Sequence, residues 1–138
     1  MTIPRVVLVE DDPDDKDMFY AFFSSRQDLE LLPAMANGVE LVDYLQSLPA
    51  GAALPDLIIL DQNMPMMNGR QTLEFLKSNE RFADIIAVIY STYADSNLII
   101  ECKKLGAAMV AVKPITEEGY RKMMDSFLQL VRKGNGVG

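Results

Sequence analysis

Asp61 closes an apolar run, Leu57-Ile58-Ile59-Leu60, and is followed at once by Gln62-Asn63-Met64-Pro65. The run has branched residues and no polar alternation, so it reads as a strand buried on both faces. A carboxylate at the carboxyl end of such a strand points into the crevice where open α/β sheets place their chemistry. Three more segments repeat the arrangement. Arg5 to Val9 runs into Glu10-Asp11-Asp12, Ile85 to Tyr90 into Ser91, and Ala108 to Val112 into Lys113. Taken singly, each has an ordinary explanation. Asp and Ser begin turns, acids suit helix N-termini, and Lys113-Pro114 allows a cis-proline turn with a structural lysine.

Gathered on one sheet edge, these groups become a chemical set. Two like charges about 4 Å apart repel by roughly 4 kcal/mol at an effective dielectric of about 20. Clustered acids therefore need raised pKa values or a cation. Lys113 supplies one positive charge, too little for Glu10, Asp11 and Asp61 together. A divalent ion such as Mg²⁺, which takes carboxylate and phosphate oxygens, would complete the balance. Asp61 then suits a nucleophile whose charge the ion tempers. Lys113 suits a point charge for a phosphoryl oxygen, and Ser91 a hydroxyl donor.

The elements that must position these groups alternate along the chain. Strands are predicted over Arg5–Val9, Leu29–Met35, Leu57–Leu60, Ile85–Tyr90 and Ala108–Val112, with Pro33 marking the second as an edge. Helices are predicted from Asp14 to about Ser25 behind Pro13, and from Asn37-Gly38 through Leu41, Leu45 and Leu48. Three more follow over Gly69–Ser78, Ser96–Leu105 and Thr116–Arg132. The fold class is therefore α/β: a doubly wound, five-stranded parallel sheet with five helices on its two faces. One domain over residues 1–133 is expected, with 134–138 a flexible tail. Met18, Phe19, Phe22 and Phe23 make the first helix unusually apolar; most are expected in the core, with one aromatic facing a partner.

Composition removes other chemistries. Among 138 residues there is no histidine, which excludes Ser-His-Asp and Cys-His catalysis, HExxH zinc sites and a phosphohistidine carrier. The net charge of −7 argues against broad nucleic-acid binding. No run approaches the roughly 18 apolar residues of a membrane span, and Met1-Thr2-Ile3-Pro4-Arg5 has no signal-peptide anatomy. The one cysteine, Cys102, reads as core filler in a reducing cytoplasm. Neither GxGxxG nor the P-loop pattern is present.

Four segments, in order, resemble the receiver domains of bacterial two-component response regulators. They are Leu8-Val9-Glu10-Asp11-Asp12-Pro13, Asp56-Leu57-Ile58-Ile59-Leu60-Asp61, Met64-Pro65 with Gly69, and Val112-Lys113-Pro114, within a likeness running from about Arg5 to Arg132. The resemblance implies a flavodoxin-like strand order, 2-1-3-4-5. It implies that Asp61 accepts a phosphoryl group from the phosphohistidine of a histidine kinase or histidine phosphotransfer protein. Glu10 and Asp11 match the acidic pair of a Mg²⁺ site that Asp61 and the Asn63 backbone carbonyl would complete, while Asp12 falls at a variable position. Ser91, followed by Thr92, matches a switch hydroxyl, and Lys113 the lysine of a Lys-Pro motif. Asn63 and Tyr93 stand where the rate of dephosphorylation is tuned. The family often has an aromatic switch three residues before the lysine; here that residue is Val110, and Tyr90 and Tyr93 flank Ser91 instead.

The implied function is that of a stand-alone response regulator, cytoplasmic and monomeric or weakly dimeric. Its chemistry would be limited to its own phosphorylation and dephosphorylation. Its output would be contact with an unidentified protein target through the fourth helix, fifth strand and last helix. Two other readings compete. A receiver-like scaffold that works unphosphorylated would not need the full set of acids, hydroxyl and lysine. A small aspartyl phosphatase usually wants a second Asp where this chain has Asn63.

Overall fold

Successive side chains of a strand point to opposite faces of its sheet, and this alternation sorts the apolar residues into two layers. The computed structural model describes residues 3–134. Its first elements are β1 (Arg5–Val9), α1 (Pro13–Phe23), β2 (Glu30–Leu31), α2 (Gly38–Ser47) and β3 (Leu57–Asp61). Then come α3 (Gly69–Ser78), β4 (Ile86–Ser91), α4 (Ser96–Leu105), β5 (Met109–Val112) and α5 (Glu117–Gly134). All strand pairs are parallel and the order is β2-β1-β3-β4-β5. This is the doubly wound sheet read from the alternating elements, in the flavodoxin-like order that the family resemblance implies.

On one face Val6, Leu8, Leu57, Ile59, Val88 and Tyr90 pack with Phe19 and Phe23 of α1 and Tyr120, Met124 and Phe127 of α5. On the other, Val7, Val9, Ile58, Leu60, Ala87 and Ile89 pack with Leu41, Leu45, Leu73, Leu76 and Cys102 from α2, α3 and α4. Every residue of β3 is buried, which is why its sequence runs apolar without alternation. Cys102 is core filler as expected, and burial pushes its thiol pKa up.

Several boundaries move for identifiable reasons. The second strand, expected over Leu29–Met35, is only Glu30–Leu31, with one further bridge between Val9 and Met35. Pro33 interrupts it because proline has no N–H for the ladder, although the Leu32 and Met35 N–H groups still donate to Val6 and Leu8 carbonyls at 2.9 and 3.0 Å. Helix α1 begins one residue early, at Pro13, because the Asp12 carboxylate caps it by accepting from the Asp14 and Asp15 N–H groups at 2.8 and 3.4 Å. It stops at Phe23, short of Ser25. Thr116 caps α5 as expected, its hydroxyl accepting from the Gly119 N–H at 3.0 Å. That helix reaches Gly134, so the first residue of the anticipated tail is helical, while 135–138 lie outside the described residues.

The apolar side of α1 is used inward. Phe19 and Phe23 are buried, and Phe22 is half-buried with its ring centroid 5.2 Å from that of Tyr120. The exposed member is Met18, so the outward residue is a thioether and not an aromatic ring. Among the described residues no helix is long and apolar enough to cross a membrane. None of their peptide bonds is cis, so the Lys113-Pro114 turn is an ordinary trans one.

Candidate functional site

Strand register brings the polar strand ends to one level. Val9 pairs with Leu60, Asp61 with Tyr90, and Ser91 with Val112. Alternation then decides which side each end residue falls on. Glu10 continues the row of Val6 and Leu8, Asp61 that of Leu57 and Ile59, Tyr90 that of Ile86 and Val88, and Lys113 that of Met109 and Ala111. All four rows belong to the face covered by α1 and α5. Residues remote in sequence thus meet at one rim.

The Lys113 Nζ is the hub of the cluster. It donates to Glu10 Oε1 at 2.8 Å and to Asp15 Oδ2 at 2.9 Å, and lies 3.4 Å from Asp61 Oδ1. The Tyr90 hydroxyl donates to the same Glu10 Oε1 at 2.8 Å, and the ammonium sits 4.8 Å from the Tyr90 ring centre. Glu10 is wholly buried and Asp61 is 3% exposed. Asp11, which is exposed, stands beside them, so that Glu10, Asp11 and Asp61 each present an oxygen within 4.8 Å of the others. The open cavity above them has a volume of about 240 Å³ and is also lined by Asn63 and Thr92.

Charge shapes this pocket. Burial, followed by hydrogen bonding to and repulsion from Glu10, pushes the Asp61 carboxyl from its ordinary 3.8 up to about 7, against the opposing pull of the Lys113 charge and the Asn63 N–H. Burial also works to raise Glu10, but hydrogen bonds with Asp61, Lys113 and Tyr90 outweigh it and hold that carboxyl below its usual range. Burial disfavours the charge on Lys113, yet its bonds to Asp15 and Glu10 and the Asp61 charge prevail, and its pKa is raised. Burial and the negative charge of Glu10 raise the Tyr90 phenol, which stays protonated and serves as a donor. One lysine against Glu10, Asp11, Asp15 and Asp61 leaves a surplus of negative charge on hard oxygen donors. That donor set fits Mg²⁺.

The residues singled out in the sequence are nearly all here. Asn63 lies at the opening and its N–H donates to Asp61 Oδ1 at 3.4 Å. Asp12 lines the opening as well, but its carboxylate caps α1. Ser91 is different: it falls on the row of Ala87 and Ile89, and its buried hydroxyl accepts from the Tyr93 N–H at 3.4 Å. Among the described residues no hydrogen bond joins that hydroxyl to the acids or to the Lys113 ammonium, although the Lys113 backbone N–H donates to the Ser91 carbonyl at 2.8 Å. Val110 packs partly buried against the α2–α4 side, and Tyr93 is 74% exposed.

Two residues were not assigned a part from the sequence. Asp15 shares Lys113; it stands in the first turn of α1, behind the Asp12 cap, where an acid reads only as a partner for the helix N-terminus. Tyr90 holds Glu10; a lone phenol in a buried aliphatic strand needs a partner for its hydroxyl.

The loop after Asp61 has no slack. A Cβ on Gly69 would sit 2.6 Å from the Asp61 carbonyl oxygen and 3.0 Å from Gln62 Cα. Both are backbone atoms, held by the Gly69 N–H to Gln62 carbonyl bond of 3.2 Å. Gly69→Ala is therefore expected to lower the unfolding free energy by about 1–3 kcal/mol, as overpacking does, in urea melts. A melt matching wild type would show that the turn can yield.

The model of the response regulator receiver domain family matches residues 6–125. A protein-glutamate methylesterase/protein-glutamine glutaminase of Bacillus licheniformis is 30% identical over 110 residues, 80% of this chain and 29% of that protein. The chain spans half or less of the length of the first three curated relatives that it matches. Among solved structures, the phosphorylated cyanobacterial phytochrome response regulator RcpA superposes with a TM-score of 0.74 at 25% identity, covering 96% of this chain and 91% of that one. The Mn(2+)-bound form of response regulator Rcp1 gives 0.75 at 24% identity, covering 94% and 91%. With the family match extending from β1 into α5 and the same five-stranded fold in both neighbours, the chain belongs to the response regulator receiver domains of two-component signalling.

Proposed function

We propose that Asp61 receives a phosphoryl group from the phosphohistidine of a histidine kinase or histidine phosphotransfer protein, and that the phosphorylated chain signals by protein contact. The meeting of Asp61 with Glu10, Asp11 and Lys113 at one open rim carries this reading. A carboxylate oxygen of Asp61 attacks phosphorus, the phosphorus–nitrogen bond of the donor breaks, and its electron pair leaves with the imidazole. Glu10, Asp11, Asp61 and the Asn63 carbonyl would hold Mg²⁺, which when bound supplies positive charge to phosphoryl oxygens. A solved relative is described as Mn(2+)-bound and another as phosphorylated, which supports both halves of the proposal.

Lys113 has a second task. Its ammonium is already 3.4 Å from Asp61, so a short shift away from Glu10 and Asp15 lets it pair with a phosphoryl oxygen. Ser91 must reorganise further, because its hydroxyl is engaged with the Tyr93 N–H. The response is a population shift between two arrangements of the segment after β4.

Acetyl phosphate with Mg²⁺ should add one phosphoryl group, seen by intact-mass spectrometry, and EDTA should prevent it. An unchanged mass with both acetyl phosphate and a kinase-derived phosphohistidine donor would overturn the proposal.

A further inference from the structure

Among the described residues the Tyr90 hydroxyl has one hydrogen-bond partner, and that partner is a residue of the acidic site. It lies 2.8 Å from Glu10 Oε1, the same oxygen that accepts from Lys113 Nζ at 2.8 Å. The ring that carries it is 1% exposed, wedged among Val88, Tyr120 and Phe127 beneath α1 and α5. A buried phenol in that layer could be a phenylalanine at no loss of apolar contact, so the hydroxyl is there for Glu10. The other Glu10 oxygen accepts a longer bond, 3.3 Å, from the Asp12 N–H. Glu10 Oε1 is thus held by two donors at 2.8 Å, one on a ring fixed in the core and the other at the end of a flexible four-carbon stem.

We infer that Tyr90 is a positioning residue for the divalent-cation site: its hydroxyl holds Glu10 in its seat when Lys113 turns to a phosphoryl group. The inference rests on the proposed function for the lysine's movement. For the cation it rests on the oxygen cluster itself. If Lys113 were the only side-chain donor to Oε1, its departure would leave that oxygen of a fully buried carboxylate without a partner, free to swing. Tyr90 removes that consequence, because a rigid ring with two side-chain torsions cannot follow the lysine. The ring face adds a second restraint, with the Lys113 ammonium 4.8 Å from its centre. Tyr90 therefore touches both groups whose relation changes on phosphorylation.

The test is made on the full chain before any phosphorylation. Mg²⁺ affinity is measured by NMR titration of wild type, Tyr90→Phe, and a variant with p-aminophenylalanine at position 90, which restores a donor. Groups that orient metal ligands typically contribute 10–100-fold in affinity. Tyr90→Phe is expected to bind Mg²⁺ about 10-fold more weakly and the amino variant to recover most of that. Urea melts in EDTA separate this from a structural role, which would lower stability and leave the affinity of the folded protein unchanged. Equal Mg²⁺ affinity in wild type and Tyr90→Phe would overturn the inference while leaving the proposed function standing. No Mg²⁺ binding by wild type would overturn both. If Tyr90→Phe does not fold, wild type labelled at tyrosine Cζ decides. A buried-tyrosine resonance that shifts in step with Mg²⁺ occupancy supports the inference, and one that stays still overturns it.

Discussion

Asp61→Asn protein is expected to gain no phosphoryl mass with acetyl phosphate and Mg²⁺, and at pH 8 in EDTA to be more stable than wild type. The first outcome removes the nucleophilic oxygen. The second follows from the same environment that makes the site reactive. Burial and Glu10 carry the Asp61 carboxyl from 3.8 to about 7 in the fold, so the native state holds that proton more tightly than the unfolded chain. A group raised in this way contributes stability in full below its unfolded pKa and loses it as pH rises through its folded pKa. At 1.36 kcal/mol per pKa unit the full difference is roughly 4 kcal/mol. Relaxation around the charge reduces it, and a gain of roughly 2 kcal/mol in the Asn variant at pH 8 is expected. Wild type in EDTA should therefore weaken between about pH 4 and pH 7. Glu10 opposes this on the acid side, because its lowered carboxyl contributes stability that disappears as pH falls. Mg²⁺ should restore wild type at pH 8 and do little for the variant. A phosphoryl gain surviving in Asp61→Asn, or a variant weaker than wild type at pH 8, would contradict this account.

Replacing Lys113 should have the largest effect on folding of any change at the rim. Its side chain is 11% exposed and its ammonium meets Glu10, Asp15 and Asp61 within 3.4 Å. Lys113→Ala leaves those carboxylates facing one another without a cation, in a pocket where Glu10 is wholly buried. Removing one partner of a buried charge pair destabilises by about 3–5 kcal/mol, and that loss is expected at pH 8 in EDTA. Two treatments should recover part of it: Mg²⁺, by binding only the folded state, and mild acid, by protonating Asp61. Lys113→Met, which keeps most of the stem, should recover much less, because charge and not bulk is missing. A loss below about 1 kcal/mol would mean that the lysine behaves as a solvated surface residue.

Much of this was legible along the chain. The apolar runs ending in Glu10, Asp61, Ser91 and Lys113, with helical periodicity between them, were enough to infer a doubly wound parallel sheet and one shared edge. Element boundaries move where a single residue overrides the pattern, as Pro33 does in β2 and the Asp12 cap does at the start of α1. Ser91 shows a different limit. It stands at the rim as the last residue of β4, yet alternation places it on the row opposite Asp61, and its hydroxyl faces a neighbouring backbone N–H.

The order of residue types, read alone, determined which chemistry this protein can attempt: oxygen nucleophile, oxygen ligands, one cation, and no imidazole. Which atoms meet was decided only by tertiary structure. Lys113 reaching Asp15 as well as Glu10, and Tyr90 reaching Glu10 across 80 residues of sequence, depend on the relative register of β1, β3, β4 and β5 and on the seating of α1. Those are set by packing summed over two whole layers, and no local pattern carries that information.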